Sequence, residues 1–121
     1  MKDISLECIQ NYLTQTKLEL KPSQNSLCLP VLNRIIDKIN RGARFGPIHV
    51  VDDLIINGHH RYICYSFLDL PIETTTWRHS HANEPKGWKD VVVEVEDWDK
   101  PEDIERHEKD YFPPIENVKA V

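Results

Sequence analysis

Residues 55–62 read Ile-Ile-Asn-Gly-His-His-Arg-Tyr, the pattern of an apolar strand, a tight turn and the first turn of an amphipathic helix. Asn57 and Gly58 suit the turn because both residue types tolerate unusual backbone angles. The first amides of a helix have no internal partners and attract anions. Arg61 adds a two-pronged donor for phosphate or carboxylate, and the two preceding histidines add further cationic side chains. The run therefore predicts an anion-binding turn, unless Gly58 only reverses the chain and the histidines are solvated.

The composition is that of an ordinary globular domain. The sequence is 40% apolar and 29% charged, and no linker divides it, so residues 1–121 are expected to form a single domain. The net charge of −5 argues against extended nucleic-acid binding, which needs many lysine and arginine contacts. The longest basic run holds Arg34, Lys38, Arg41 and Arg44, and helical spacing places the first three near one face. This run indicates either a solvated helix face or a local basic site.

Cysteine usage and hydropathy favour the cytoplasm. Cys8, Cys28 and Cys64 are odd in number and widely spaced, with no CxxC pair and no zinc-ligand spacing. They are expected to be reduced, and no metal site is assigned. The N-terminus lacks a signal-peptide apolar core, and no apolar run approaches the roughly 20 residues of a membrane span. We therefore expect a cytoplasmic protein that does not enter a membrane.

The segments around the turn predict a mixture of helices and strands. In chain order, the patterns indicate a helix through Leu32 and Ile39, strands 47–51 and 54–56, a helix over 58–69, a strand at 72–77, a loop at 78–87, a strand at 90–96 and a helix at 101–111. Only Asp52 and Asp53 separate the first two strands, which therefore form either a tight hairpin or one strand with a bend. The helix through Leu32 and Ile39 has Pro30 near its start and Gly42 beyond its end. The first 20 residues fit a helix or a short strand, and residues 112–121 are expected to be a loosely ordered tail.

The turn also resembles a known family when its surroundings are included. It follows Pro47-Ile48-His49-Val50 and precedes Asp69-Leu70-Pro71-Ile72, at the intervals found in ParB N-terminal domains and sulfiredoxins. The resemblance covers roughly residues 27–77. It implies a compact single α+β domain, a small mixed sheet flanked by helices, whose turn holds nucleotide phosphates. Members include CTP-hydrolysing partition proteins, ATP-using sulfiredoxins and free-serine kinases, so the resemblance implies ATP or CTP with Mg²⁺ as the ligand.

The residues of the turn match the family motif in part. By position, the resemblance assigns Gly58, His60 and Arg61 to the motif glycine, histidine and phosphate-contacting arginine, with Asn57 at the turn. His59 stands where sulfiredoxins carry their catalytic cysteine. Without a thiolate the phosphoryl sulfinic ester cannot be resolved by thiol attack, so sulfiredoxin activity is not expected. Partition proteins carry an acid and a second arginine where this chain has two histidines.

Two classes of function follow from a phosphate site. The first is phosphoryl transfer or nucleotide hydrolysis, in which His60 donates to or orients the leaving oxygen. Glu7, in the segment where kinase relatives place a catalytic acid, is the carboxylate assigned to this role. The other carboxylates considered are Asp52, Asp53 and Glu73. The second class is a regulatory or protein-binding module that binds a nucleotide, and a protein partner, without turnover.

A third class is a metal-dependent nuclease or toxin domain. His79 and His81 would place two imidazoles on one side of an extended loop, which suits zinc or manganese. No third ligand has diagnostic spacing, so no metal ligands are assigned.

One tryptophan is a candidate for stacking on a nucleobase. Trp88 is preferred because its neighbours Lys86 and Lys89 suggest that it is exposed. The alternative, which applies to Trp77 and Trp98 as well, is packing at the ends of strands.

Overall fold

The structure is a computed structural model that describes residues 3–77 and 84–113. Within these residues the chain forms helices α1 (Leu6–Gln15), α2 (Leu29–Asn40), α3 (His59–Phe67) and α4 (Pro101–Tyr111), and strands β1 (Ser26–Cys28), β2 (Ile48–Val51), β3 (Leu54–Asn57), β4 (Thr74–Thr76) and β5 (Val92–Glu94). A short 3₁₀ turn, Trp88–Asp90, precedes β5. The fold is a small mixed α+β arrangement, as predicted.

The described strands form two small sheets. β2 is the central strand of a mixed three-stranded sheet, antiparallel to β3 and parallel to β4. The predicted hairpin is confirmed, and Asp52 in its turn has a φ of 54°, in the left-handed region that two-residue hairpin turns use. β1 and β5, which are far apart in sequence, form a separate parallel pair. The sequence predicted β5 but not β1, because β1 lies at the end of a polar run.

The hydrophobic core lies between α2, α3 and the three-stranded sheet. Leu32 and Ile36 of α2 pack in one cluster with Ile63 of α3, Ile48 of β2 and Ile55 of β3. The apolar stripe that predicted α2 is thus the face that α2 buries against its neighbours. Because α3 is held between α2 and β2, the position of its N-terminus is fixed by the core.

Both predicted terminal helices have identifiable starts. The first residues form α1, so their helical interpretation is correct, and Oγ of Ser5 accepts from the backbone N–H of Cys8 at 3.1 Å. α4 begins at Pro101 as predicted, and the Asp103 carboxylate accepts from the backbone N–H of Lys100 at 3.3 Å. None of the described helices combines the length and apolar character needed to cross a bilayer.

Two predicted segments fall outside the described residues in whole or in part. Residues 78–83, which belong to the predicted loop and include His79 and His81, are not described. The same holds for residues 114–121 of the predicted tail.

Candidate anion-binding cavity

A cavity of about 610 Å³ opens between α2, the N-terminus of α3 and α4. All five residues of the predicted turn, Asn57 to Arg61, line it. Three basic side chains contribute to its wall: Arg34, Lys38 and Arg61. The rest of the wall is largely apolar and aromatic, and includes Ile35, Phe45, Ile56, Trp98 and Tyr111. The cavity therefore combines concentrated positive charge with apolar surface, a combination typical of small-molecule sites.

Gly58 closes the turn in the left-handed conformation, with φ 106° and ψ 26°, and caps α3. A Cβ at this position would lie 2.8 Å from Nη2 of Arg61 and 3.0 Å from Cδ1 of Ile48. The backbone angle and the available space both require glycine. Among the described residues, nothing accepts from the backbone N–H groups of residues 59–61, the free donors of the first helical turn. These amides and the helix dipole attract an anion.

Arg61 holds its guanidinium beside this turn. Nη1 donates to the carbonyl oxygen of Gly46 at 3.1 Å and to that of Pro47 at 3.4 Å. The ion pairs found within the described residues do not include Arg61. Backbone carbonyls orient the side chain without neutralising it, so its charge is available to an anion in the cavity.

Lys38 is a second cation of the cavity wall. The residue is only 5% exposed, yet it lines the cavity. Its ammonium takes no part in the ion pairs of the described residues. Burial lowers the pKa of Lys38, and the charge of Glu108 opposes that effect. The prediction of a solvated face is therefore wrong for Lys38, because packing encloses this side of α2.

Arg34 differs from the other two cations because acids neutralise it. Its guanidinium donates to both carboxylate oxygens of Asp97, at 2.6 and 2.7 Å, and to Asp99 at 2.9 Å. The hydrogen bond from Arg34 holds the pKa of Asp97 below its usual value. Asp99 also lines the cavity, so this ion pair is part of the cavity wall.

Both histidines of the turn are neutral acceptors, which corrects the expectation of cationic side chains. His59 is 4% exposed, and its Nε2 accepts from the backbone N–H of Ser23 at 2.9 Å. Nε2 of His60 accepts from the backbone N–H of Cys28 at 2.9 Å. Burial lowers the pKa of each ring from 6.5 to about 4; His60 adds to this effect on His59, whereas Asp99 opposes it on His60. The proton of each ring therefore resides on Nδ1.

Two of the predicted site residues lie away from the cavity. Glu7 is exposed in the first turn of α1 and does not line the cavity. Trp88 is 8% exposed, so the exposure predicted for it is wrong. Its Nε1–H donates to the carbonyl oxygen of Leu20 at 2.8 Å, and its ring stacks on Tyr62 with a centroid distance of 5.9 Å. The remaining carboxylates considered, Asp52, Asp53 and Glu73, do not line the cavity either.

The sequence did not predict the contribution of α4 and of the residues before it. Trp98, Asp99, His107 and Tyr111 all line the cavity, although they follow the turn by roughly 40–50 residues in sequence. One usable signal was present: His107 and Tyr111 are four residues apart on a predicted helix and so share a face. The sequence around these two residues does not show which other element that face contacts.

Among the described residues, no group of three or more His, Cys, Asp or Glu side chains is arranged to hold a metal ion. The histidines of the nuclease alternative, at positions 79 and 81, lie outside those residues. Comparison of the chain with models of known protein families, with curated proteins and with solved structures finds no match.

Proposed function

We propose that the chain is a ParB/sulfiredoxin-like domain that binds the phosphates of a nucleoside triphosphate, ATP or CTP with Mg²⁺, in this cavity. The observation that carries the proposal is the pair of cavity cations, Lys38 and Arg61, that form no ion pair within residues 3–77 and 84–113 and lie beside the free amides of α3. Lys38 is 5% exposed and burial lowers its pKa, so a bound anion would offset the cost of enclosing its charge. Phosphate oxygens match the donors present: backbone amides, a guanidinium and an ammonium.

The charge of the whole chain supports a small ligand over a polymer. The formal charge of −5 disfavours a long polyanion, whereas the basic cavity attracts an anion small enough to enter it. If Mg²⁺ accompanies the phosphates, Asp99 is the carboxylate of the cavity wall that would hold it. When bound, the ion would supply neutralisation of the phosphate charge.

The hydrogen bonds of the turn favour binding without turnover. Nε2 of His59 and Nε2 of His60 already accept from backbone amides, so neither atom is available as a general base. Glu7, the predicted catalytic acid, does not line the cavity. A regulatory module is therefore the form of this function that the contacts support, and phosphoryl transfer or hydrolysis is the alternative that a phosphate-release assay would detect.

A thermal-shift and phosphate-release panel across ATP, ADP, CTP and GTP tests the proposal. We expect at least one triphosphate to raise the melting temperature of the native protein. Arg61→Ala and Lys38→Met should each weaken its affinity by about tenfold or more, because a charge-assisted hydrogen bond contributes about 1.5–3 kcal/mol. The melting temperature of Lys38→Met without nucleotide shows whether this variant is folded.

Arg106→Ala is the matched control. It removes one positive charge from an exposed position on α4 that does not line the cavity. Its nucleotide affinity should equal that of the native protein. If no nucleotide shifts the melting temperature of the native protein, the proposal is wrong.

A further inference from the structure

Two tryptophans are exposed to the same extent but in different surroundings. Trp77 is 45% exposed and Trp98 is 44% exposed. The indole of Trp77 lies flat against the imidazole of His49, with a centroid distance of 4.5 Å and an interplanar angle of 11°. Trp98, in contrast, lines the cavity that holds the cations. An exposed aromatic ring in the wall of a concave site that also holds cations is a candidate ligand contact, whereas a single exposed ring elsewhere on the surface needs no explanation.

Contacts orient the Trp98 ring before any ligand binds. Its Nε1–H donates to Oε1 of Glu94 at 2.8 Å, and its backbone N–H donates to Sγ of Cys28 at 3.4 Å. Its ring packs edge to face with that of His60, at a centroid distance of 5.2 Å and an angle of 84°. A ring fixed at its polar edge and supported by a neighbour loses little freedom when a ligand stacks on it.

We infer that Trp98 is the stacking surface for a planar heteroaromatic ring of the ligand, which is the nucleobase if the proposed function is correct. His60 connects the two parts of the site, because it contacts Trp98 and belongs to the first turn of α3, where the free amides lie. One ligand can thus place its phosphates near Arg61 and its base against the indole. Base stacking on tryptophan tolerates any base, since each presents a π-face.

The inference rests on the proposed function, so its test uses ligands with and without a base. Tryptophan fluorescence is titrated with ATP, with CTP and with inorganic tripolyphosphate, which has the phosphates alone. We expect a nucleotide, but not tripolyphosphate, to quench emission from the native protein. Trp98→Phe should abolish the quenching, whereas Trp77→Phe, which changes an equally exposed ring outside the cavity, should leave it intact.

The nucleotide affinity of Trp98→Ala distinguishes stacking on Trp98 from the proposed binding of phosphates. Stacking predicts about tenfold weaker nucleotide binding by this variant, with tripolyphosphate binding unchanged when both are measured by calorimetry. The melting temperature of Trp98→Ala without ligand shows whether this variant is folded. If it is not folded, the fluorescence of Trp98→Phe tests the inference instead. Unchanged nucleotide affinity, or quenching that survives Trp98→Phe, overturns this inference alone. If the native protein binds neither a nucleotide nor tripolyphosphate, this inference and the proposed function are both wrong.

Discussion

Gly58 performs two tasks that no other residue type can perform together. It adopts a φ of 106°, and it leaves space for the guanidinium of Arg61 where a Cβ would lie 2.8 Å from Nη2. We expect Gly58→Ala to lower the free energy of unfolding by about 1–3 kcal/mol, because alanine is strained at this φ. We also expect phosphate affinity to fall, because the methyl group displaces Arg61. Chemical denaturation and a titration with tripolyphosphate measure the two effects separately.

Gly42 provides the control for backbone strain. Its φ is 105°, nearly the same as that of Gly58, but a Cβ there would meet nothing within 4 Å. Gly42→Ala should therefore lose stability while phosphate affinity stays at the native level. Equal loss of affinity in both variants would mean that the Gly58 effect is general and not a displacement of Arg61.

At the residue scale, the conformation of the turn was predictable from the sequence, but the burial of individual side chains was not. The left-handed turn followed from Asn57-Gly58, because glycine is the residue type that the conformation favours. The charge of His59 did not follow, because it depends on enclosure by distant chain and on a hydrogen bond from Ser23. Lys38 and Trp88 show the same limit: both have polar sequence neighbours, and both are buried.

At the element scale, α4 forms one wall of the cavity although none of its residues is buried. It is held by the pair of hydrogen bonds from Arg41 to Glu108, both at 2.7 Å, and by the contact of Phe45 with Tyr111, whose ring centroids lie 4.5 Å apart. Such exposed contacts stabilise a helix position without adding much to global stability. We therefore expect Glu108→Gln to speed amide exchange in α4 while the melting temperature changes little.

The matched control for this prediction is Glu105→Gln. It removes an ion pair with Lys109 inside α4 but leaves the contact to α2 intact. Hydrogen exchange measured by mass spectrometry should show faster exchange across α4 in Glu108→Gln than in Glu105→Gln. A large fall in melting temperature for Glu108→Gln would instead show that α4 is part of the cooperative core.

Helices and the hairpin were predictable because their signals are local. The spacing of Leu32, Ile36 and Ile39 predicted α2, and the two-residue turn between β-branched runs predicted β2 and β3. The three-residue strand β1 was not predicted, because it lies at the end of a polar run and carries little local signal, and its partner β5 lies more than 60 residues away in sequence. The cavity depends on the same kind of long-range contact, so the sequence predicted one wall of it and missed the wall formed by α4.

At the scale of the whole molecule, the buried histidines make stability depend on pH. The pKa of His59 and of His60 is about 4 in the folded chain, whereas that of an exposed histidine is 6.5. Between these values the unfolded chain binds more protons than the folded chain, so the free energy of unfolding decreases as the pH falls from 6.5 to 4. The loss for the pair is of the order of a few kcal/mol, and it is absent above pH 6.5. Melting temperatures across pH 4–8 measure it.

The side chain of His59 can be changed without removing its hydrogen bond. His59→Gln retains an acceptor for the backbone N–H of Ser23 but does not titrate, so the stability of this variant should fall less steeply between pH 6.5 and 4. Equal slopes in the native protein and His59→Gln would mean that the burial of His59 does not contribute to the acid sensitivity of the fold.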